Sequence, residues 1–247
     1  MFKRMLSKLL PRSLKDYVRA NLLVPNDSFD LSLSRVDPDI KVVFDIGANV
    51  GGITTILLER FPNAIVYSFE PCTSTFEKLR QAVAASPHRE RCRMFKMGFY
   101  DAPTLGQLHI TSHDGANSLL DITPEYHRAN PHIEECDSEE IELRLLDDFV
   151  AEQGIDHIDL IKVDVEGAEA EVLLGGRETL SEKVDVVFCE ISLVRHRRSQ
   201  GEFIRIFETM HECGFAPAEI YDVAQGGAPA SLWRLGQFDC VFRRFDA

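Results

Sequence analysis

Residues 42–52 read VVFDIGANVGG. An apolar run carries one acid, Asp45, and then breaks into glycines at 47, 51 and 52. A buried strand needs a turn, but it needs neither an acid nor three glycines to make one. Glycines let backbone approach a ligand with no Cβ in the way, and a helix starting near residue 51 aims its unpaired N–H groups into the same space. The spacing G-A-N-V-G-G puts Asn49 where the G-x-G-x-x-G dinucleotide fingerprint has its middle glycine. An acid before the turn also repels a pyrophosphate. Asp45 therefore points to a ligand with positive charge nearby, and Gly47 and Gly51 to close approach of that ligand.

Outward from this stretch, strand-like and helix-like segments alternate from 41 to about 190. Apolar strands are expected at 41–46, 64–69, 92–97, within IDLIKVDVEG and at 184–190. Helices are expected at 51–60, from Thr73 or Ser74 to about 85, in LLDDFVAEQG up to Gly154, at 167–182 with a break at Gly175–Gly176, and over about 200–213. The alternating stretches 106–112 and 139–145 read as added or edge strands. This order predicts an α/β fold, doubly wound around a mostly parallel sheet. Two C-terminal strands with no helix between them predict a hairpin that sets one antiparallel strand into that sheet. Residues 113–140 hold two prolines, and six of the nine residues 134–142 are acids. That segment reads as a loop, either solvated or a lid over a binding site. The division expected is a helical extension over 1–38 and a main domain over 39–247.

The 247 residues carry a net charge of −13. Residues 1–20 hold six basic residues against Asp16, a charge of +5, so the remainder stands at −13 − 5 = −18. Such a body repels polyphosphate backbones, which disfavours nucleic acid as a partner. Six scattered cysteines lack metal-ligand spacing and read as reduced thiols of a cytoplasmic protein. No apolar run reaches the ~18 residues of a membrane span. The basic N-terminal segment lacks the features of a secretory signal. It is expected to pack on the main domain, with contact to an anionic membrane surface as the alternative.

Two further strand ends carry acids. Glu70, in SFEP, lies 19 residues after Gly51, where an acid in such folds grips ribose hydroxyls. In LIKVDVEGAE, Lys162, Asp164 and Glu166 would share one face of an extended strand. Charges at a buried strand end are costly unless they serve a site. Asp164 and Glu166 are the first candidates for a general base, Glu190 the third, and the loop histidines His127 and His196 lie further off. A divalent metal on Asp164, Glu166 and Glu190 is conceivable by ligand type, but nothing in the sequence indicates one. The cluster Arg195–Arg198 is a positive island that would suit an acidic acceptor.

DIGANVGG, SFEP and IKVDVEGAE in this order, followed by VVFCEIS, resemble the FkbM family of S-adenosylmethionine-dependent methyltransferases. The resemblance covers about residues 41–192, and the K-x-D-x-E-G-A-E block is its most specific part. It implies a seven-stranded sheet with the last strand antiparallel, and methyl transfer from S-adenosylmethionine to a hydroxyl of a small molecule or saccharide. By the match, Asp45, Gly47, Asn49 and Gly51 would line the methionine and sugar portion of the cofactor. Glu70 would hold the ribose, Asp101 would meet the adenine amino group, and Ser118 would lie at the cofactor or acceptor mouth. Asp164, Glu166 and Lys162 would serve catalysis. The alternatives are a non-catalytic binding module of the same fold and an NAD-dependent oxidoreductase.

Overall fold

The computed structural model describes residues 28–193, 203–225 and 235–245. Its centre is β1 (Val42–Ile46), flanked in parallel by β2 (Ile65–Phe69) and β7 (Ile158–Val163). β3 (Cys92–Phe95) extends the sheet beyond β2, and β8 (Val184–Ser192) extends it beyond β7, both in parallel. β9 (Phe215–Gln225) and β10 (Leu235–Arg244) form the C-terminal pair, with β10 antiparallel to both β8 and β9. The seven-stranded order is β3-β2-β1-β7-β8-β10-β9, the mostly parallel sheet and inserted antiparallel strand that the residue pattern predicts.

The period-two pattern of β1 splits the core. Val43 faces α2 (Gly52–Arg60) and α3 (Thr73–Ala85) together with Leu57, Leu58, Leu79 and Val83. Phe44 and Ile46 face the other way, onto Phe149 of α5 (Leu146–Gln153) and onto α6 (Glu169–Leu174) and α7 (Arg177–Lys183). Phe149 stands edge-on to Phe69 and Phe95, with centroids 5.0 and 4.9 Å away, an arrangement that adds to simple area burial. α8 (Phe203–Glu212) closes this side through Ile206 and Met210. At the N-terminal side, α1 (Ser28–Leu33) lays Phe29 against the rings of Phe188 and Tyr221. Ser32 and Arg35 both bind Glu219, at 2.9 and 2.8 Å. Residues 1–27 lie outside the described residues.

The alternating stretches 106–112 and 139–145 form strands, as expected, but in a sheet of their own. They belong to β5 (Thr104–Thr111) and β6 (Glu135–Arg144), which pair with each other and, through β6, with β4 (Gly98–Phe99). The result is a three-stranded sheet, β4-β6-β5, separate from the main one. The acid-rich run 134–142 is therefore mostly strand, not loop, and α4 (Pro124–Ala129) occupies part of the segment before it. Ile141 and Leu143 turn inward beside Leu108 and Cys72, and alternation sends Glu140 and Glu142 outward between them; Glu139 shares the face of Ile141 and is half-buried. Glu139 accepts from the Thr73 N–H at 2.8 Å and from the Thr73 hydroxyl, and it pairs with Lys96 at 3.0 Å. These ties pin the small sheet to the main domain. Among the described residues all six cysteines are free thiols, with only Cys136 exposed. No described helix is long and apolar enough to cross a membrane.

Candidate functional site

Strand order reverses between β1 and β7, and ligands of open α/β sheets bind beyond the carboxyl ends at such a point. A cavity of about 460 Å³ opens there. The turn Gly47–Gly52 forms its floor, Glu70 and Phe99 stand on one side, and Lys162 and Asp164 on the other. The small sheet supplies an apolar wall of Leu108, Ile141 and Leu143. Volume and mixed lining are those of a small-ligand site.

The turn after β1 is locked to β2: the N–H groups of Gly47 and Ala48 both donate to the Phe69 carbonyl, at 3.0 and 2.9 Å. Gly47 has φ +82 and Asn49 φ 48. A Cβ on Gly47 would lie 1.8 Å from the Asp164 carbonyl oxygen, and one on Gly51 would lie 2.9 Å from Leu79 Cδ1. Both glycines thus serve packing, one against the end of β7 and one against α3. Gly47 also lines the cavity, as expected, but Gly51 does not; Gly52 does, with open space around it. Asn49 does line the cavity, and its Oδ1 is buried without a hydrogen-bond partner.

Asp45 is fully buried and does not reach the cavity lining, contrary to expectation. Strand alternation turns it toward α2, where Oδ2 accepts from the Thr54 hydroxyl at 2.6 Å. Its Oδ1 has no partner. Burial raises its pKa, and Lys162, its neighbour across the β1–β7 register, opposes the rise. Asp45 thus acts on the site from behind, through the charge of Lys162.

Glu70 does face the cavity, though only 7% exposed. Oε1 accepts from the Cys72 N–H at 2.9 Å and the Thr75 hydroxyl at 2.7 Å, and Oε2 accepts from the Asn49 N–H at 2.9 Å. Burial raises its pKa, and these three donors hold it down. Oε1 has both lone-pair sites taken, so Oε2 carries the remaining acceptor capacity.

β7 ends at Val163 and the chain then turns; Glu166 is left-handed, with φ 57. Lys162, Asp164 and Glu166 therefore do not share one extended face, although all three line the cavity. Lys162 Nζ donates to Asp164 Oδ2 at 3.0 Å. Burial would depress the Lys162 ammonium, but Asp164 and Asp45 outweigh it and set its pKa above the ordinary lysine value. It is a fixed cation.

Asp164, Glu169 and Glu190 bring one carboxylate oxygen each within 4.8 Å of one another. Glu169 takes the place that sequence reasoning gave to Glu166. Each member already has a protein donor: Lys162 for Asp164, the Val165 and Gly167 N–H groups for Glu169, and Gln237 for Glu190. Asp239 adds a further acid. Burial and then Asp164 push its pKa up to about 7, against the pull of Lys162.

A carboxyl with a raised folded-state pKa keeps a proton that the unfolded chain has released. Stability therefore falls as pH rises from about 4 to about 7, and the cost is complete above that window. The advantage of Asp239→Asn over wild type should grow by about 2 kcal/mol between about pH 5 and about pH 8. Urea unfolding at the two pH values checks this; an advantage independent of pH would contradict it.

Two expected residues are not brought to the cavity. Asp101 is exposed in a bend beyond β4 and is not on the wall. Ser118 is buried, and its hydroxyl donates to the Glu166 carbonyl at 2.7 Å, so it braces the turn rather than facing a ligand. His127 is exposed on α4, away from the lining. His196 and the Arg195–Arg198 cluster lie outside the described residues. Sequence reasoning missed Glu169, Asp239 and the apolar wall. Glu169 was within the quoted IKVDVEGAE block, and Asp239 interrupts the apolar FDCVF; the wall has no local signal, because it depends on pairing between β5 and β6.

The model of the FkbM methyltransferase domain matches residues 45–217. The 2-O-methyltransferase NoeI of Sinorhizobium fredii is 31% identical over 166 residues, which is 65% of this chain and 65% of that protein. The 31-O-demethyl-FK506 methyltransferase FkbM of Streptomyces tacrolimicus is 28% identical over 173 residues, 61% of this chain and 65% of that protein. The chain thus spans just under two thirds of the length of these two relatives. In fold, it is similar to the crystal structure of methyltransferase FkbM from Methylobacillus flagellatus KT, with a TM-score of 0.53 and 18% identity over 92% of this chain and 50% of that one.

Proposed function

The chain belongs to the FkbM methyltransferase family, and on that premise we propose that it transfers the methyl group of S-adenosylmethionine to a hydroxyl of a small molecule or saccharide. One observation carries the reading. The cavity at the β1–β7 switch runs from Asn49 past the buried Glu70 to an apolar wall, and so offers a polar grip beside an apolar slot of the kind a nucleoside needs.

The residues present fit the cofactor. The orphaned Asn49 Oδ1 needs a donor, and an amino group of the methionine portion would be one. Glu70 Oε2 has acceptor capacity for a ribose hydroxyl. Phe99, Leu108, Ile141 and Leu143 offer a slot for the base. Bound S-adenosylmethionine supplies an electrophilic methyl on a sulfonium sulfur. The chain's own task is to orient the acceptor oxygen in line with that methyl, which accounts for much of the acceleration in such displacements, and to take its proton. Asp164 is the base we favour. It lines the cavity, and Lys162 holds its Oδ2 while Oδ1 stays available. Lys162 cannot be the base, because it stays cationic. In such a displacement the hydroxyl proton would pass to Asp164 as the acceptor oxygen takes the methyl from sulfur.

Among the described residues, Asp164, Glu166, Glu190 and Asp239 lie close enough to act on one another, and Lys162 is the one cation on the cavity wall. This favours a neutral acceptor over an acidic one, because a carboxylate or phosphate would meet like charge. The relatives' names support oxygen as the methylated atom: one is a 2-O-methyltransferase and the other a 31-O-demethyl-FK506 methyltransferase. The test is to incubate the protein with S-adenosylmethionine and a panel of neutral and acidic hydroxylated compounds, and to read the products by mass. A gain of one CH₂ on a neutral acceptor, lost in Asp164→Asn, is expected. Methylation confined to acidic acceptors, or full activity in the variant, would sink this assignment.

A further inference from the structure

The turn that brings Asp164, Val165 and Glu166 to the cavity is held from behind by one side chain. Glu169, in the first turn of α6, is 4% exposed. Its Oε1 accepts from the Val165 N–H at 3.0 Å and from the Gly167 N–H at 3.1 Å. Between those two groups the backbone passes through left-handed conformations, φ 57 at Glu166 and φ 108 at Gly167. A non-glycine residue persists there only where its surroundings hold it. Three further ties act on the same turn. The Asp164 N–H donates to the Ile46 carbonyl at 3.1 Å. Gly47 packs beneath the Asp164 carbonyl, so closely that no Cβ fits. The Ser118 hydroxyl donates to the Glu166 carbonyl from the small-sheet side at 2.7 Å. Those ties fix the carbonyl groups and the entry to the turn; the N–H groups of residues 165 and 167 depend on Glu169.

We propose that Glu169 is a positioning residue for the reaction site: by holding two backbone N–H groups it sets the turn 164–167, and with it the place of Asp164 and Glu166 at the cavity. This rests on reading that cavity as the seat of the methyl donor. What matters is the reach of an acceptor oxygen, not charge. Glutamine keeps an oxygen at the same distance from the backbone. Aspartate keeps the charge but is one methylene too short. A carboxylate that merely favours the start of α6 through the helix dipole would show the opposite order, since aspartate serves that purpose and glutamine does not.

The experiment compares Glu169→Gln, Glu169→Asp and Glu169→Ala by amide hydrogen exchange over residues 163–170 and by calorimetric titration with S-adenosylmethionine. Glu169→Gln is expected to keep exchange slow at Val165 and Gly167 and to bind within about 3-fold of wild type. Glu169→Asp and Glu169→Ala should exchange faster there and bind at least about 10-fold more weakly. Aspartate behaving like wild type while glutamine behaves like alanine would overturn the proposal, as would wild-type exchange in all three. If alanine prevents folding, the aspartate–glutamine contrast still decides. If wild type itself ignores S-adenosylmethionine, the methyl-donor reading fails, whereas the exchange data still decide whether Glu169 holds the turn.

Discussion

Gly47→Ala is expected to cost about 3 kcal/mol of folding stability and to weaken binding at the cavity well beyond that of any neighbouring glycine variant. Two effects add. The residue sits at φ +82, where alanine is strained by roughly 1–2 kcal/mol. Its Cβ would also stand 1.8 Å from the Asp164 carbonyl oxygen, and that backbone has little freedom, because the Asp164 N–H is bonded to Ile46. Overpacking of this kind adds about 1–3 kcal/mol. The end of β7 must move, and Asp164 moves with it. Gly52→Ala is the control. Nothing lies within 4 Å of its Cβ position, so stability should hold or rise by up to about 1 kcal/mol. Urea denaturation of both variants separates the cases; equal stabilities would show that the close approach of Gly47 to β7 is not a real constraint.

The second large effect is at Glu70. Glu70→Ala should weaken binding of S-adenosylmethionine by about 10- to 100-fold, the equivalent of one hydrogen bond to a charged group. It should also reduce stability by about 2–3 kcal/mol, because the N–H groups of Asn49 and Cys72 lose their acceptor and the Thr75 hydroxyl keeps only the longer bond to the Cys72 carbonyl. Glu70→Gln would not rescue it fully. A single amide oxygen can serve the Cys72 and Thr75 side or the Asn49 side, but not both, and the amide NH₂ then faces a donor. Calorimetry paired with thermal unfolding measures the two losses separately. Retention of wild-type affinity in Glu70→Ala would remove Glu70 from the ligand site.

Much of the fold was legible because its signals are local. The period-two pattern around Phe44 and Asp45, the breaks at Gly154 and Gly175, and the helix-free C-terminal pair each reflect a rule that acts over a few residues. The strand ends that line the cavity could be read for the same reason: a parallel sheet sends every carboxyl end to one edge, so Glu70 and Asp164 had to be near each other. What was not legible depends on contacts far apart in sequence. The small sheet arises from β5–β6 pairing across the segment 112–134, and neither strand announces its partner. Gly47 and Gly51 look alike in sequence, yet one is pressed on β7 and the other on α3. Asp45 was assigned to the ligand from its neighbours, while alternation turned it inward to Thr54. Glu169 was passed over because its partners are backbone N–H groups, which a motif does not show.

The most direct test of the account is a crystal structure of the protein with S-adenosylhomocysteine. The account predicts density across the carboxyl ends of β1 and β7, with the amino group at Asn49, a ribose hydroxyl on Glu70 Oε2 and the base against Leu143 and Phe99. An empty cavity at saturating ligand, or a ligand bound elsewhere, would contradict it.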